Sequence, residues 1–430
     1  SDMKFLKQAP ACWLSVSLLL ACSSAWAQVQ APTAPRAADL ASSAALPGVT
    51  LQTALAQAMA QNPSLRAAQQ AVAASEGAMI QSRARPNPEL AFSQEDTRRE
   101  TRSSSLQWNQ AIEIGGKRAA RMKVAEHGVE LARAELDTAR AALRADVRAA
   151  FVNLLAAQQR VQLNGKTLQI AAQARDAAGK RVIAGKAAPL EETKAQVAES
   201  SAQLALNQAQ SGLRVARQQL ALLWGGSGLA VGEAMGDMVQ LPQLPPQEQL
   251  LQKIEHSAQV VRAQQVFLQA QSTVELERAK RLPDPTVSVG IKRAEAAGRN
   301  QLLLGVSIPL PILDSNRGNQ LQALRLADKA EDELLAARQL AQAQLLQNYE
   351  QLQTSRAQTL QLQSKVLPGA QSAYEVAAKG FSLGKFSYLD VLDAQRTLAD
   401  ARGLYLDQLV ATHRAAADIT RQLGDIPGLE

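Results

Sequence analysis

The chain has 430 residues, of which 46% are hydrophobic but only 3% aromatic, and its formal net charge is +7. This mixture, rich in Ala, Leu, Gln and Arg, is typical of long helices and coiled coils and argues against a β-sandwich or a disordered chain. The basic residues are spread along the chain, so we expect no nucleic-acid partner. With three histidines and two cysteines, a His- or Cys-based active site is not expected, and we predict neither an enzyme nor a cofactor.

The N-terminus is predicted to be an export signal followed by a tether. The two residues before Met3 are interpreted as a cloning remnant. Residues 1–27 then show a basic start, a short apolar run and small residues, which is the pattern of a secretory signal peptide. Cleavage after Ala27 is one interpretation, and a lipoprotein-type cut that leaves a lipid-modified Cys22 is the alternative. Residues 28–48, rich in Ala, Pro and Ser, are predicted to form an extended tether.

The remaining sequence repeats itself with an offset of about 197–199 residues, far longer than the unit of a solenoid. The matched motifs are Pro-x-Pro at 86–88 and 283–285, and Gly-Lys at 185–186 and 384–385. Residues 49–240 and 241–430 are therefore predicted to be two copies of one structural unit. A proline-rich segment at 241–246 separates them.

Each copy is predicted to contain the same elements in the same order. A helix ends at the Pro-x-Pro motif because proline removes an amide donor and restricts the residue before it. Two runs with alternating polarity follow and indicate a β-hairpin. A long helix with apolar or small residues at seven-residue steps comes next, and a last helix returns after the Gly-Lys turn. The predicted ranges are helices 51–84, 117–183 and 189–223 with a hairpin at about 88–112, then helices 247–281, 315–381 and 387–423 with a hairpin at about 285–309.

Four strands in one chain need partners, because an isolated hairpin is only marginally stable. No stretch after the signal is apolar enough for a transmembrane helix. In lipid, strands can span only as a closed barrel, and three chains would supply twelve strands. The alternative is a small soluble sheet that caps a coiled-coil bundle.

Together these features resemble the outer-membrane factor family, the TolC-like efflux channels. The likeness covers residues 50–424 and is carried by the repeat, the Pro-x-Pro motifs and two further motif regions. The first region is Ile-Glu-Ile-Gly-Gly-Lys-Arg at 112–118 with its counterparts at 307–311 and 316–319, and the second is Tyr-Leu-Asp-Val-Leu-Asp-Ala-Gln at 388–395. The first is similar to the branch of the family that serves cobalt–zinc–cadmium exporters.

The resemblance implies a mainly helical fold with a small β part. It implies a homotrimer in which a long coiled-coil barrel extends into the periplasm below a 12-stranded barrel in outer-membrane lipid. Such a protein would be the passive exit duct for heavy-metal cations, working with a periplasmic membrane-fusion adaptor and an inner-membrane proton-driven RND pump. Drug efflux or type I protein secretion is the runner-up function, and a periplasmic coiled-coil adaptor or structural protein is the alternative of a different class.

The candidate functional residues are Asp390 and Asp393, which share one face at the start of the last helix. Taken alone, acids at a helix start are favoured by the helix dipole. The resemblance implies that they form the periplasmic pore constriction, with Lys194 or Arg396 as possible basic partners. The first-half counterpart of Asp390 is Glu191, and that of Asp393 is Lys194 itself.

No metal site is predicted. The three histidines lie apart in helical tracts with no second ligand at metal-binding spacing, and Met235 and Met238 are interpreted as packing residues. The histidines are His127, His256 and His413.

Overall fold

A computed structural model describes residues 48–226 and 231–429. The predicted signal peptide, its two alternative processing sites at Ala27 and Cys22, and nearly all of the predicted tether lie outside the described residues. The division of the chain at residue 241 stays a prediction.

The described chain runs twice through helices, a β-hairpin and two further helical arms. The first pass is α1 Leu51–Gln61, α2 Pro63–Ser82, β1 Glu89–Glu95, β2 Ser103–Ala111, α3 Lys117–Ile183 and α4 Pro189–Leu222. The second pass is α5 Gln247–Gln252, α6 Ala258–Ala279, β3 Thr286–Ala294, β4 Arg299–Ser307, α7 Arg317–Gln361, α8 Leu367–Ser382 and α9 Tyr388–Leu423. Among the described residues, no helix is both long and apolar enough to cross a membrane.

The predicted opening helix at 51–84 is wrong in one respect, because it is two helices that meet at Asn62. Pro63 occupies the first turn of α2, where its missing N–H costs nothing, and the Asn62 side chain accepts a hydrogen bond from the Leu65 N–H at 2.8 Å. The opening helix of the second half is likewise divided, by a short 3-10 turn at Ile254–His256 between α5 and α6.

Helix α3 is continuous over 67 residues, which corresponds to a rod of about 100 Å. The seam predicted from the seven-residue steps is confirmed, since Val129, Leu136 and Leu143 are all buried. The equivalent tract of the second half contains a π-helical turn, Leu362–Val366, which ends two residues before Pro368. Proline cannot donate to the preceding turn, and a π turn lets the helix continue around it.

Two apolar clusters lie where the helices pack. One joins Phe151 and Leu154 of α3 to Leu220 of α4 and Leu409 of α9. The other joins Leu345 and Leu352 of α7 to Ile419 of α9, together with other residues of the second half. Because α9 contributes residues to both clusters, it packs against the helices of both halves.

The four strands form one antiparallel sheet in the order β1-β2-β3-β4. The middle pair, β2 with β3, joins the two halves, with Asn109 opposite Ser288. Strands β1 and β4 therefore have one free edge each.

Candidate functional site

Asp390 closes the N-terminus of α9 by a capping box with Ser387. The N–H and the hydroxyl of Ser387 both donate to the Asp390 carboxylate at 2.8 Å, and the Asp390 N–H donates to the Ser387 hydroxyl oxygen at 3.3 Å. These hydrogen bonds from Ser387 lower the pKa of the exposed Asp390 carboxyl from its ordinary value. Asp390 is therefore held ionised where the helix dipole favours an anion.

Asp393 follows one turn later and is exposed, as Asp390 is. Within the parts of the chain that the structure describes, the Asp393 carboxylate has no hydrogen bond or ion pair, and neither Lys194 nor Arg396 pairs with an acid. The pair is thus one engaged carboxylate and one open carboxylate on the same helix face. Its role as a pore constriction stays a prediction.

Tyr388, beside this pair, is the first residue of the motif at 388–395, but the sequence reasoning gave it no role of its own. Its side chain is only 3% exposed and packs with Ala178 of α3 and Ala195 of α4. The Phe381 ring lies 6.0 Å from the Tyr388 ring, and the Arg181 guanidinium stacks over Phe381 at 4.7 Å. The signal was the occurrence of two aromatic residues on either side of a turn in a chain that has few of them.

The sheet has one apolar and one polar face. Large apolar side chains point to the first face and are exposed, including Phe92 at 68%, Leu304 at 74% and Val306 at 67%. On the other face the Ser93 and Ser105 hydroxyls are 2.7 Å apart. Exposed apolar positions that alternate with polar ones are typical of strands with lipid on one side and water on the other.

Two ion pairs lie at the junction between the sheet and the helices. Asp284, just before β3, pairs with Lys117 at 2.7 Å and accepts a hydrogen bond from the Ile114 N–H at 3.0 Å. Arg121 binds both carboxylate oxygens of Glu113, at 2.6 and 3.2 Å, and also donates to the Ala84 carbonyl at 3.0 Å. Guanidinium contacts with free carbonyls at a helix end complete bonds that the helix itself cannot make.

His413 is partly buried and is hydrogen-bonded to the backbone of another segment. Its Nε2 donates to the Met238 carbonyl at 2.9 Å, and burial lowers its pKa, which favours the neutral ring. Met238 is buried and Met235 is exposed. In residues 48–226 and 231–429, no three or more His, Cys, Asp or Glu side chains are grouped so that they could hold a metal ion.

The doubled helix–hairpin–helix order and the amphipathic sheet above long helices define a class of outer-membrane channel folds. The sequence profile of the family described as Outer membrane efflux protein matches residues 54–226 and 250–425, and the chain belongs to this family. The chain is 45% identical over 376 residues to the cobalt-zinc-cadmium resistance protein CzcC of Cupriavidus metallidurans, a match that covers 87% of this chain and 90% of that protein.

Solved structures share the fold. A membrane protein from Pseudomonas aeruginosa aligns with a TM-score of 0.75 at 20% identity, over 87% of this chain and 90% of that one. The MtrE outer membrane channel of Neisseria gonorrhoeae, in its open state, aligns with a TM-score of 0.74 at 19% identity, over 88% and 89%. The predicted fold class, mainly helical with a small β part, is confirmed.

Membership of the family also decides between the broad classes of function. The chain is an outer-membrane efflux channel protein with a periplasmic helical domain, and it is not an enzyme. The alternative of a periplasmic adaptor or structural protein is wrong, because the family match covers both halves.

Proposed function

We propose that this protein is the exit duct of a metal-cation efflux system, for cations of the cobalt, zinc, cadmium and nickel class. The observation that carries the proposal is the similarity along nearly the whole chain to a cobalt-zinc-cadmium resistance protein. A homotrimer would work with a periplasmic adaptor and an inner-membrane RND pump, which supplies the energy. Drug efflux remains the competing function.

The apolar face of the sheet supports contact with outer-membrane lipid. Leu302, Leu304 and Val306 of β4 are all more than two-thirds exposed in one chain. Such a band is costly in water and favourable in the hydrocarbon region. The polar face, with Ser93, Ser105 and Asn109, would then line the aqueous interior.

Asp390 and Asp393 are proposed to form the pore constriction at the end of the long helices that is remote from the sheet. Both carboxylates are exposed, and Asp390 is kept ionised by its hydrogen bonds from Ser387. Two such acids from each of three copies would gather around one axis. A ring of carboxylates concentrates cations, which suits a duct for metal ions.

Deletion of the gene tests the proposal. Growth of the deletion strain should become sensitive to Zn²⁺, Cd²⁺, Co²⁺ or Ni²⁺, and expression of the intact chain should restore resistance. Drugs of several classes provide the control, because their inhibitory concentrations should not change. Sensitivity to drugs with unchanged metal resistance would favour the competing function.

Mass analysis in detergent tests the assembly. The purified protein should have the mass of three chains, because the described residues of each chain supply four strands with two free edges. A stable monomer with native β content would contradict the trimer.

A further inference from the structure

Basic residues are concentrated at the end of the sheet that is remote from the helices. In the four described strands they occur only at this end, as Lys292 and Arg293 of β3 and Arg299 of β4. The β1–β2 loop beside them adds three arginines, at positions 98, 99 and 102. Because the helical domain lies in the periplasm, this end of the sheet belongs to the outer side of the membrane.

Alternation along the strands places two of these arginines on the apolar face. Arg293 follows Ile291 by two residues in β3, so both side chains lie on one face, about 7 Å apart along the strand. The Arg102 carbonyl accepts a hydrogen bond from the Glu295 N–H at 3.0 Å, which continues the pairing of β2 with β3 by one position. Arg102 therefore lies on the same face as Leu106. The two guanidinium groups thus lie at the outer rim of the exposed apolar face.

The acids of the β1–β2 loop do not neutralise its arginines. Asp96 accepts hydrogen bonds from the Arg98 N–H at 3.1 Å and from the Thr101 hydroxyl, so its carboxylate stabilises the loop itself. None of the three loop arginines forms an ion pair in the portion of the chain covered by the structure. With Glu100, which is exposed, the loop 96–102 has three arginines against two acids.

On the neighbouring hairpin the two faces differ in how their basic residues are engaged. Lys292 lies on the polar face and pairs with Glu95 at 2.8 Å. Arg293, on the apolar face, pairs with Glu295 through its Nε at 3.3 Å and is still 67% exposed. A guanidinium has five N–H donors, so the terminal nitrogens of Arg293 are open to a further acceptor.

We propose that the arginines at this rim bind the phosphate groups of a glycolipid, lipopolysaccharide, whose acyl chains lie on the apolar face. The cluster is called the arginine patch and consists of Arg98, Arg99, Arg102 and Arg293. Guanidinium groups bind phosphate in a bidentate way and stay charged at every physiological pH. The inference rests on the proposed contact of the apolar face with lipid and deepens it by naming the lipid.

The surroundings of the arginine patch favour this lipid over a phospholipid. The adjoining apolar side chains are more than half exposed, with Phe92 at 68%, Ile291 at 57% and Leu302 at 68%, and can cover acyl chains. Several guanidinium groups spread over two hairpins match a headgroup with more than one phosphate. A zwitterionic phospholipid would instead bring an ammonium group next to the arginines, and like charges repel.

Binding of lipid A, the phosphorylated anchor of lipopolysaccharide, to the purified full chain in detergent tests the proposal. Native mass spectrometry in the presence of EDTA measures the affinity without bridging by divalent cations. The variant R102Q/R293Q should bind lipid A about tenfold more weakly, because it loses charge-assisted hydrogen bonds to phosphate. Dephosphorylated lipid A should bind the unmodified protein with a similarly reduced affinity.

The matched control is K292Q/R299Q. It also removes two positive charges at the outer end of the sheet, but alternation places both residues on the polar face. Its affinity for lipid A should stay within about twofold of the unmodified protein. Both double variants should keep the native β content and the native oligomeric mass, which separates loss of binding from loss of fold.

Four results would count against the proposal. An equal loss of affinity in both double variants would reduce the effect to net charge and overturn the arginine patch. Binding of lipid A that does not depend on its phosphates would overturn it as well. An equal affinity for phosphatidylglycerol would overturn the assignment to a glycolipid. Failure of every lipid to bind, with metal resistance intact, would remove the lipid contact and leave the efflux function standing, since gene deletion tests that function separately.

Discussion

The two turns that return the chain from a long helix share one backbone design but have different helix starts. In each turn a glycine, Gly185 or Gly384, has a positive φ and closes the preceding helix. Helix α4 then begins with Pro189 after Ala188, without a side-chain cap, whereas α9 begins after Ser387 with a full capping box. The two halves have thus kept the same turn but differ at the start of the returning helix.

The difference has a consequence for packing. Tyr388 of the second turn fits against Ala178 and Ala195, which flank the first turn. The residue of the first half that corresponds to Tyr388 is Pro189, which has no comparable ring to offer. One turn therefore supplies the aromatic knob and the other supplies the small residues that receive it. This asymmetry leaves the acidic face of α9 in a fixed position.

Removing the Tyr388 ring should have the largest effect on the stability of the turn region. Tyr388→Ala deletes a buried ring and should destabilise the turn region by about 3 kcal/mol. Hydrogen exchange of residues 378–395 should increase strongly. Tyr388→Phe is the matched control and should resemble the unmodified protein, because the Tyr388 hydroxyl is buried without a partner in the described structure. Equal exchange in the Ala variant would contradict the knob assignment.

Neutralising the acidic face should change conduction and leave the fold intact. Asp390→Asn with Asp393→Asn keeps an acceptor for the Ser387 donors but removes both charges. Single-channel recordings should show weaker cation preference and weaker block by multivalent cations. Glu191→Gln in the first half is the control and should have the smaller effect. Unchanged selectivity in the double variant would mean that these acids serve only the helix start.

The cap on α9 should make the second turn sensitive to acid. The pKa of Asp390 is lowered in the folded protein, so the stability it contributes is present above its unfolded pKa of about 3.9 and is lost as the pH falls through the lower folded value. Ser387→Ala removes the cap and should cost about 1 kcal/mol at neutral pH. Protection factors of residues 385–392, which correct the exchange rate for its own dependence on pH, should be nearly constant from pH 7 downwards and fall steeply only at the acid end, near pH 3. In Ser387→Ala this fall in protection should be much smaller, and the same fall in both proteins would contradict the cap.

Periodicity in the sequence predicts the long elements well. The unbroken α3, its buried seam and both hairpins follow from local patterns, since a helix or a strand must bury one face. The break at Asn62 was also visible in Pro63, but proline in a first helical turn resembles proline inside a longer helix. Pro368 indicates an interruption of the second long helix, but the local sequence does not show that the helix accommodates it by a π turn at 362–366.

The features of the candidate site also differ in whether a local pattern predicts them. The spacing of Asp390 and Asp393 on one face follows from the helix alone. The burial of Tyr388 does not, because its neighbours Ala178 and Ala195 lie about two hundred residues away in the chain and only the packed halves bring them together. The relation of the acids to a pore axis depends on further copies, which one sequence cannot position.

The smallest expected effect comes from introducing, at the N-terminus of α4, the serine cap with which α9 begins. Ala188 already has an extended backbone, with φ −74° and ψ 145°, close to the φ −76° and ψ 160° of Ser387. Ala188→Ser would create a Ser-Pro-Leu-Glu sequence in which Glu191 stands at the capping-box position. The backbone needs no adjustment, so we expect α4 to gain about 0.5–1 kcal/mol and residues 186–193 to exchange more slowly. Ala188→Val is the control, since it adds a side chain without an acceptor and valine is as poor an N-cap residue as alanine. Metal resistance should be unchanged in both variants, because the cap alters the helix start and not the charge of either turn. Faster exchange in Ala188→Ser would contradict the expected cap and show that the likeness of the two backbones is incidental.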